Sequence, residues 1–162
     1  MTGYAVISVP DKGSVEDQIE LLEAGVIRTP SPSSGIAVRL AKVYHSLSEL
    51  IGELKPDVLV VEKLYAHYKH PATAILMGHV RGVVCLLGGT QKLKLANIAS
   101  THVKKAIAGK GHASKEQVQR MVQHLLGLKS LPEPPDVADA LAIAMAFAFN
   151  QKTKQGREKI SA

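Results

Sequence analysis

Val58-Leu59-Val60-Val61-Glu62 decides the fold of this chain. Pro56 stops any helix arriving from upstream, and four apolar residues, three of them β-branched, then follow without alternation. Such a run predicts a strand buried on both faces, as in the parallel layer of an α/β protein. Glu62 closes it at the strand's C-terminal end, where open α/β sheets place ligands. Upstream, apolar residues recur at Ile36, Leu40, Val43, Leu47, Leu50, Ile51 and Leu54, a spacing that predicts an amphipathic helix. Downstream, 72–87 reads as a helix, 93–98 as a strand and 101–108 as a short helix. Ser114 with Gln117 three residues on forms a capping box that starts a helix over 115–126. At the N-terminus, 4–9 and 19–27 read as the strands of a hairpin, the second interrupted by a bulge at Gly25. A hairpin followed by strand–helix units predicts an α/β fold, a mixed sheet flanked by helices.

The last long segment is ambiguous by pattern. Leu141, Ile143, Met145, Phe147 and Phe149 alternate with alanines, which is strand periodicity. The alanines and the acidic start outweigh it and predict a helix over 136–149. Residues 1–150 are expected to form one domain, and the basic tail 151–162 to fray.

Of the 162 residues, 46% are hydrophobic and 21% charged, a globular composition that excludes wholesale disorder. Twenty Lys and Arg against 14 Asp and Glu give a net charge of +6, which favours an anionic partner. The lone Cys85 sits among apolar neighbours and reads as a core thiol in a reducing compartment. No basic segment followed by an apolar one opens the chain, and the longest apolar run, 140–149, is too short to span a bilayer. A cytoplasmic location follows as the expectation.

Three acids stand out in this basic chain: Glu62 at the strand end, and Asp136 and Asp139 opening the last helix. Acids in a first helical turn commonly do no more than satisfy free amides and complement the macrodipole. Converging with Glu62, they make a hard oxygen donor set for one or two Mg²⁺ ions. A cation cage facing a polyanion points to metal-dependent cleavage of a nucleic-acid backbone. Between 92 and 120, Lys92, Lys94, Lys104, Lys105, Lys110, Lys115 and Arg120 stand against the single acid Glu116. A solvated face is the ordinary meaning of such a run, and a phosphate-binding surface the functional one, with Gly109 and Gly111 allowing close backbone approach. Tyr65 and Tyr68 follow Glu62 and serve either as packing rings or as platforms for unpaired bases. Gly78 and Gly82, one turn apart, allow another helix to approach, within the fold or from a second copy. His67 and His70 have no Cys pair to complete a zinc site.

The ordered series of these segments resembles the RuvC family of Holliday-junction resolvases. It runs through Thr2-Gly3-Tyr4-Ala5-Val6-Ile7, Val60-Val61-Glu62-Lys63, Gly78-His79-Val80-Arg81-Gly82, Val103-Lys104-Lys105, Ser114-Lys115-Glu116-Gln117-Val118-Gln119 and Asp136-Val137-Ala138-Asp139-Ala140-Leu141-Ala142-Ile143-Ala144. The resemblance implies a ribonuclease-H-like fold, a symmetric homodimer and Mg²⁺-dependent nicking of opposed strands at a four-way DNA junction, with Mn²⁺ able to substitute. It implies branch-migration partners of the RuvA–RuvB kind, and a role in recombination and repair. By matching position it makes Glu62, Asp136 and Asp139 catalytic carboxylates and metal ligands. Lys104 and Lys115 become basic residues at the scissile phosphate, Lys115 among the catalytic set, with Lys110 beside them on the DNA path. Tyr65 becomes the aromatic near the junction centre, and the helix of Gly78 and Gly82 the dimer helix.

One departure follows from the same comparison. Family members carry a central first strand ending in Ile-Asp-Pro-Gly before Thr-Gly-Tyr, and its Asp is a fourth carboxylate; here Met1 precedes Thr2. The expectation is a chain lacking that strand and Asp, either shortened or degenerate. Two readings follow: a junction-resolving endonuclease, or a non-cleaving junction-binding protein.

Overall fold

The computed structural model describes residues 1–10, 19–64 and 71–160, with backbone alone over 152–160. Tyr65, His67, Tyr68 and His70 lie outside the described residues. The elements run β1 (Thr2–Ser8), β2 (Glu20–Ile27), a 3₁₀ turn (Pro32–Ser34), α1 (Gly35–Leu54), β3 (Val58–Glu62), α2 (Pro71–Thr90), β4 (Lys94–Ile98), α3 (Ser100–Ala108), α4 (Lys115–Leu125) and α5 (Pro135–Ile160). This is the α/β order expected from the sequence. The strands pair as β1–β2 and β3–β4, each a two-stranded sheet. By contacts the chain divides into two compact units, 1–2 with 27–97 and 3–26 with 98–162.

In the first unit, α1 packs on α2 through its apolar stripe, with Val43 and Ile51 buried. Lys55 takes the left-handed conformation at φ +45° and returns its N–H to the Ile51 carbonyl at 2.9 Å. With Pro56 next, α1 cannot continue. β3 departs from the sequence expectation, because all five of its residues are half-buried. Full burial needs strands on both edges and layers on both faces, and among the described residues β3 is hydrogen-bonded to β4 alone. α2 is longer than expected and begins on Pro71, a residue suited to a first helical position. At 20 residues and mean hydropathy 1.5 it is long and apolar enough, by length and composition, to cross a membrane. That corrects the expectation that 140–149 was the stretch to consider.

The second unit holds the better-sealed core. α3 and α4 both pack on α5, and Val103, Ile107, Val118, Val122, Leu141 and Met145 are buried between them. The capping box forms as predicted: the Ser114 hydroxyl accepts from the Gln117 N–H at 3.2 Å, and the Gln117 side chain accepts from the Ser114 N–H at 2.9 Å. The alternating segment 136–149 is helical, and the helix runs on to Ile160. Gln, Lys, Arg and Glu after Asn150 are good helix formers, and no proline stops them. In the hairpin, β2 is unbroken at Gly25, which corrects the expected interruption. A methyl there would lie 2.9 Å from the Tyr4 hydroxyl and 3.2 Å from the ring, so the glycine makes room for that side chain. Tyr4 donates to Glu23 at 2.8 Å; this bond, then burial and the carboxylate's charge, raise the phenol above its ordinary value of 10.0.

Candidate active site

The start of α5 carries Asp136 and Asp139 three residues apart, hence on neighbouring positions of one helical face. The opposite face is the core: Val137, Ala138, Leu141 and Ala142 are at most 7% exposed. Amphipathicity therefore turns the two carboxylates outward, Asp136 half-buried and Asp139 exposed. β1 meets this helix at Gly3, where an added methyl would collide with the backbone carbonyl of Asp136. Glycine is required there by close approach.

Lys115 opens α4 and places its ammonium 3.4 Å from Asp139 Oδ2. Both side chains are well exposed, so the pair adds about 0–1 kcal/mol to stability. Its interest is placement, a cation held against a carboxylate that would face phosphate. Glu116 follows in the first turn, and its carboxyl is held below the usual 4.5 chiefly by the Ser114 hydroxyl, then its own backbone N–H, Arg120 and Lys115. Lys104 is half-buried on α3 and Lys110 exposed in the loop after it. Gly109, at φ +71°, ends α3 by donating its N–H to the Lys105 carbonyl at 3.0 Å, so a capping role accounts for that glycine.

Glu62, in the other unit, is the half-buried last residue of β3. Arg81 of α2 donates through Nη1 to the Glu62 backbone carbonyl at 2.6 Å and through Nη2 to the Asn97 side-chain oxygen. One guanidinium thus touches the C-terminal ends of β3 and β4, which places those ends side by side, as in a parallel strand–helix–strand unit. Sequence reasoning quoted Arg81 without a role; the signal was a permanently charged residue inside an otherwise apolar helix.

Ile75, Gly78, Gly82 and Leu86 follow one another at three- and four-residue steps and share one face of α2. Ile75 is 61% and Leu86 57% exposed, and among the described residues nothing lies within 4 Å of a methyl placed at Gly78 or Gly82. Among the described residues, no contact inside the fold accounts for these glycines. A small, mostly apolar cleft between α1 and α2 is lined by Thr29, Ile36, Arg39, Leu40, Val43, Leu76 and Val80 and contains no carboxylate.

Among the described residues no group of three or more His, Cys, Asp or Glu stands ready to hold a metal. Asp136 and Asp139 come together in one unit and Glu62 belongs to the other. The donors are all carboxylates, the chemistry that Mg²⁺ and Mn²⁺ take, and to that extent they fit a hard cation.

The family described as "Crossover junction endodeoxyribonuclease RuvC" matches residues 1–147. The protein of that name from Rhodopirellula baltica is 42% identical over 144 residues, 89% of this chain and 78% of the relative. That from Desulforamulus reducens is 36% identical over 159 residues, 98% and 93% of the two chains. Among solved structures, Thermus thermophilus RuvC superposes with a TM-score of 0.83 at 32% identity, over 94% of this chain and 89% of that one. The T. thermophilus protein in complex with a Holliday junction substrate matches at 0.82 and 31%, over 94% and 88%. The fold is therefore ribonuclease-H-like, as the resemblance implied.

Proposed function

The chain belongs to the RuvC family of crossover junction endodeoxyribonucleases, and from that premise we propose that it nicks four-way DNA junctions in recombination and repair. The observation that carries the reading is local to α5. Two carboxylates face outward from a helix anchored in the core, and a lysine ammonium stands 3.4 Å from one of them. Asp136 and Asp139 would hold divalent cations together with Glu62. Bound there, Mg²⁺ or Mn²⁺, two per site, supplies an activated water and positive charge for the leaving oxygen. Lys115 neutralises the non-bridging oxygens of the scissile phosphate, while Lys104 and Lys110 hold neighbouring phosphates. Tyr65 stacks at the junction centre. The exposed face of α2 pairs with its twin, which gives a homodimer two sites for two opposed strands. With DNA as substrate, that face meets protein and not lipid, and the protein works in the cytoplasm alongside RuvA–RuvB.

A second reading is a protein that binds junctions without cutting them: the basic residues of α3, the loop after it and α4 would hold phosphates with no metal cage. A gel-shift assay and a cleavage assay on the same four-way substrate, in Mg²⁺ and in Mn²⁺, separate the two. We expect binding with nicked product, and an Asp139→Asn variant that binds equally but nicks about a hundredfold less or worse. Tight binding with no product from the parent selects the second reading. Unchanged nicking by Asp139→Asn removes that residue from the site.

A further inference from the structure

α2 carries just two basic residues, His79 and Arg81, among apolar neighbours. A guanidinium is permanently charged, and in a half-buried position it must find acceptors. Arg81 finds them across 19 residues at Glu62 and across 16 at Asn97. Glu62 is the last residue of β3 and Asn97 the last but one of β4, so both acceptors lie at the C-terminal ends of their strands. The Glu62 contact is to the backbone, which is what gives it consequence. Fixing the Glu62 carbonyl oxygen fixes the plane of the peptide that follows and, through ψ, the direction in which the side chain leaves the strand. A charged donor makes this a stronger hold than a neutral one would. The planar fork of arginine reaches two acceptors at once in a set orientation, and a lysine ammonium does not reproduce that.

We propose that Arg81 is a positioning residue, which bridges the Glu62 carbonyl and the Asn97 side chain and so sets the point from which the Glu62 carboxylate is presented to a divalent cation. The inference rests on the metal-binding role of Glu62 proposed above. It adds a link between the apolar helix and the site. Arg81 sits off the face of Ile75, Gly78, Gly82 and Leu86, so the same helix can meet a second copy on one side and brace the strand end on another.

The test follows Mg²⁺ binding at Glu62 itself. In full-length protein carrying ¹³C-labelled glutamate, the Glu62 carboxyl resonance, identified by its loss in Glu62→Gln, is titrated with Mg²⁺. The parent is expected to show a saturable shift. Arg81→Gln should raise the Mg²⁺ midpoint about tenfold or more, the usual cost of removing an outer-shell partner, and Arg81→Lys should recover only part of that. Junction affinity without metal should stay within about twofold, because neither substitution touches the proposed DNA path. Should Arg81→Gln fail to fold by circular dichroism, Asn97→Ala, which frees one arm of the fork, should still raise the midpoint by about threefold. A lower melting temperature with an unmoved midpoint makes Arg81 purely structural and overturns the proposal. A parent whose Glu62 resonance ignores Mg²⁺ overturns the metal reading of Glu62, and the positioning role with it.

Discussion

The start of α5 and the end of β3 both carry candidate metal carboxylates, and they are supported by opposite means. Asp136 and Asp139 ride on a helix whose other face is a sealed core, and the Asp136 backbone lies hard against Gly3. Glu62 ends a half-exposed strand, beside a helix that leaves Ile75 and Leu86 in solvent, and one guanidinium braces it. Packing places a group through many weak contacts, so its geometry changes only when a whole layer moves. A hydrogen bond places a group through one directed contact: of the two bonds Arg81 makes, one falls on the Glu62 carbonyl and the other on Asn97, and a single substitution removes both. The α5 carboxylates are thus fixed by volume, and Glu62 by direction.

If volume governs the first region, the largest effect comes from adding one methyl. Gly3→Ala puts a carbon into the Asp136 carbonyl, and the obstructing atom is backbone, so no side-chain rotation relieves it. β1 or α5 must move, at a cost of about 1–3 kcal/mol for overpacking, and nicking should fall with the displaced Asp136. The control lies in the other unit. Gly52, in the exposed interior of α1, has nothing within 4 Å of an added methyl, and Gly52→Ala should be stabilising by about 0.5–1 kcal/mol. Urea denaturation of both variants decides it. Equal effects would break the contrast between the regions.

Much of this was legible in the sequence, and the exceptions share a cause. The capping box at Ser114, the stop at Pro56 and the apolar periodicity of α1 are local signals, written within a few residues of where they act. The alternation over 136–149 misled in period but not in outcome, because alanine's helix preference and the acidic start settled it. Gly25 read as a bulge because the Tyr4 ring that fills its space is 21 residues away. Arg81 and Gly3 were invisible for the same reason, each acting on a residue that only folding brings near. The half-burial of β3 depends on how many strands flank it, which four apolar residues in a row cannot say. The pair Asp136 and Asp139 was readable as candidates; the nearness of Lys115, 24 residues away, was not.

A smaller effect tests the weaker packing of the first unit. If the face of Ile75, Gly78, Gly82 and Leu86 is covered by a second copy, Leu86→Lys should weaken self-association. Burying such a side chain contributes about 1.5–3 kcal/mol, so the dissociation constant should rise about tenfold or more in sedimentation equilibrium. Stability of the separated chain should hardly change, since Leu86 is 57% exposed there. A parent that is monomeric at tens of micromolar, on the order of most purified dimers' working range, would leave that face without the partner assigned to it.

The smallest effect separates the two regions by acid. Glu116, in the first turn of α4, titrates below 4.5 in the folded chain because the Ser114 hydroxyl, its own N–H, Arg120 and Lys115 favour its charged form. Unfolded, it titrates near the ordinary value, so folding binds it more weakly to protons. The stabilisation is therefore complete above pH 4.5 and disappears as pH falls through the lowered folded value. α1, in the other unit, has no acid in its first turn and no corresponding group to lose. Protection of the first-turn amides of α4, taken relative to the intrinsic exchange rate at each pH, should thus fall as the solution is acidified below 4.5, ahead of any change at the start of α1. Glu116→Gln should exchange faster than the parent at neutral pH and converge with it in acid. The carboxylate is fully exposed, so the difference will be slight and will shrink in salt. If parent and variant instead keep a constant gap down to about pH 3, the glutamate acts there by something other than its charge. The helix carrying Lys115 would then owe its start to the capping box alone.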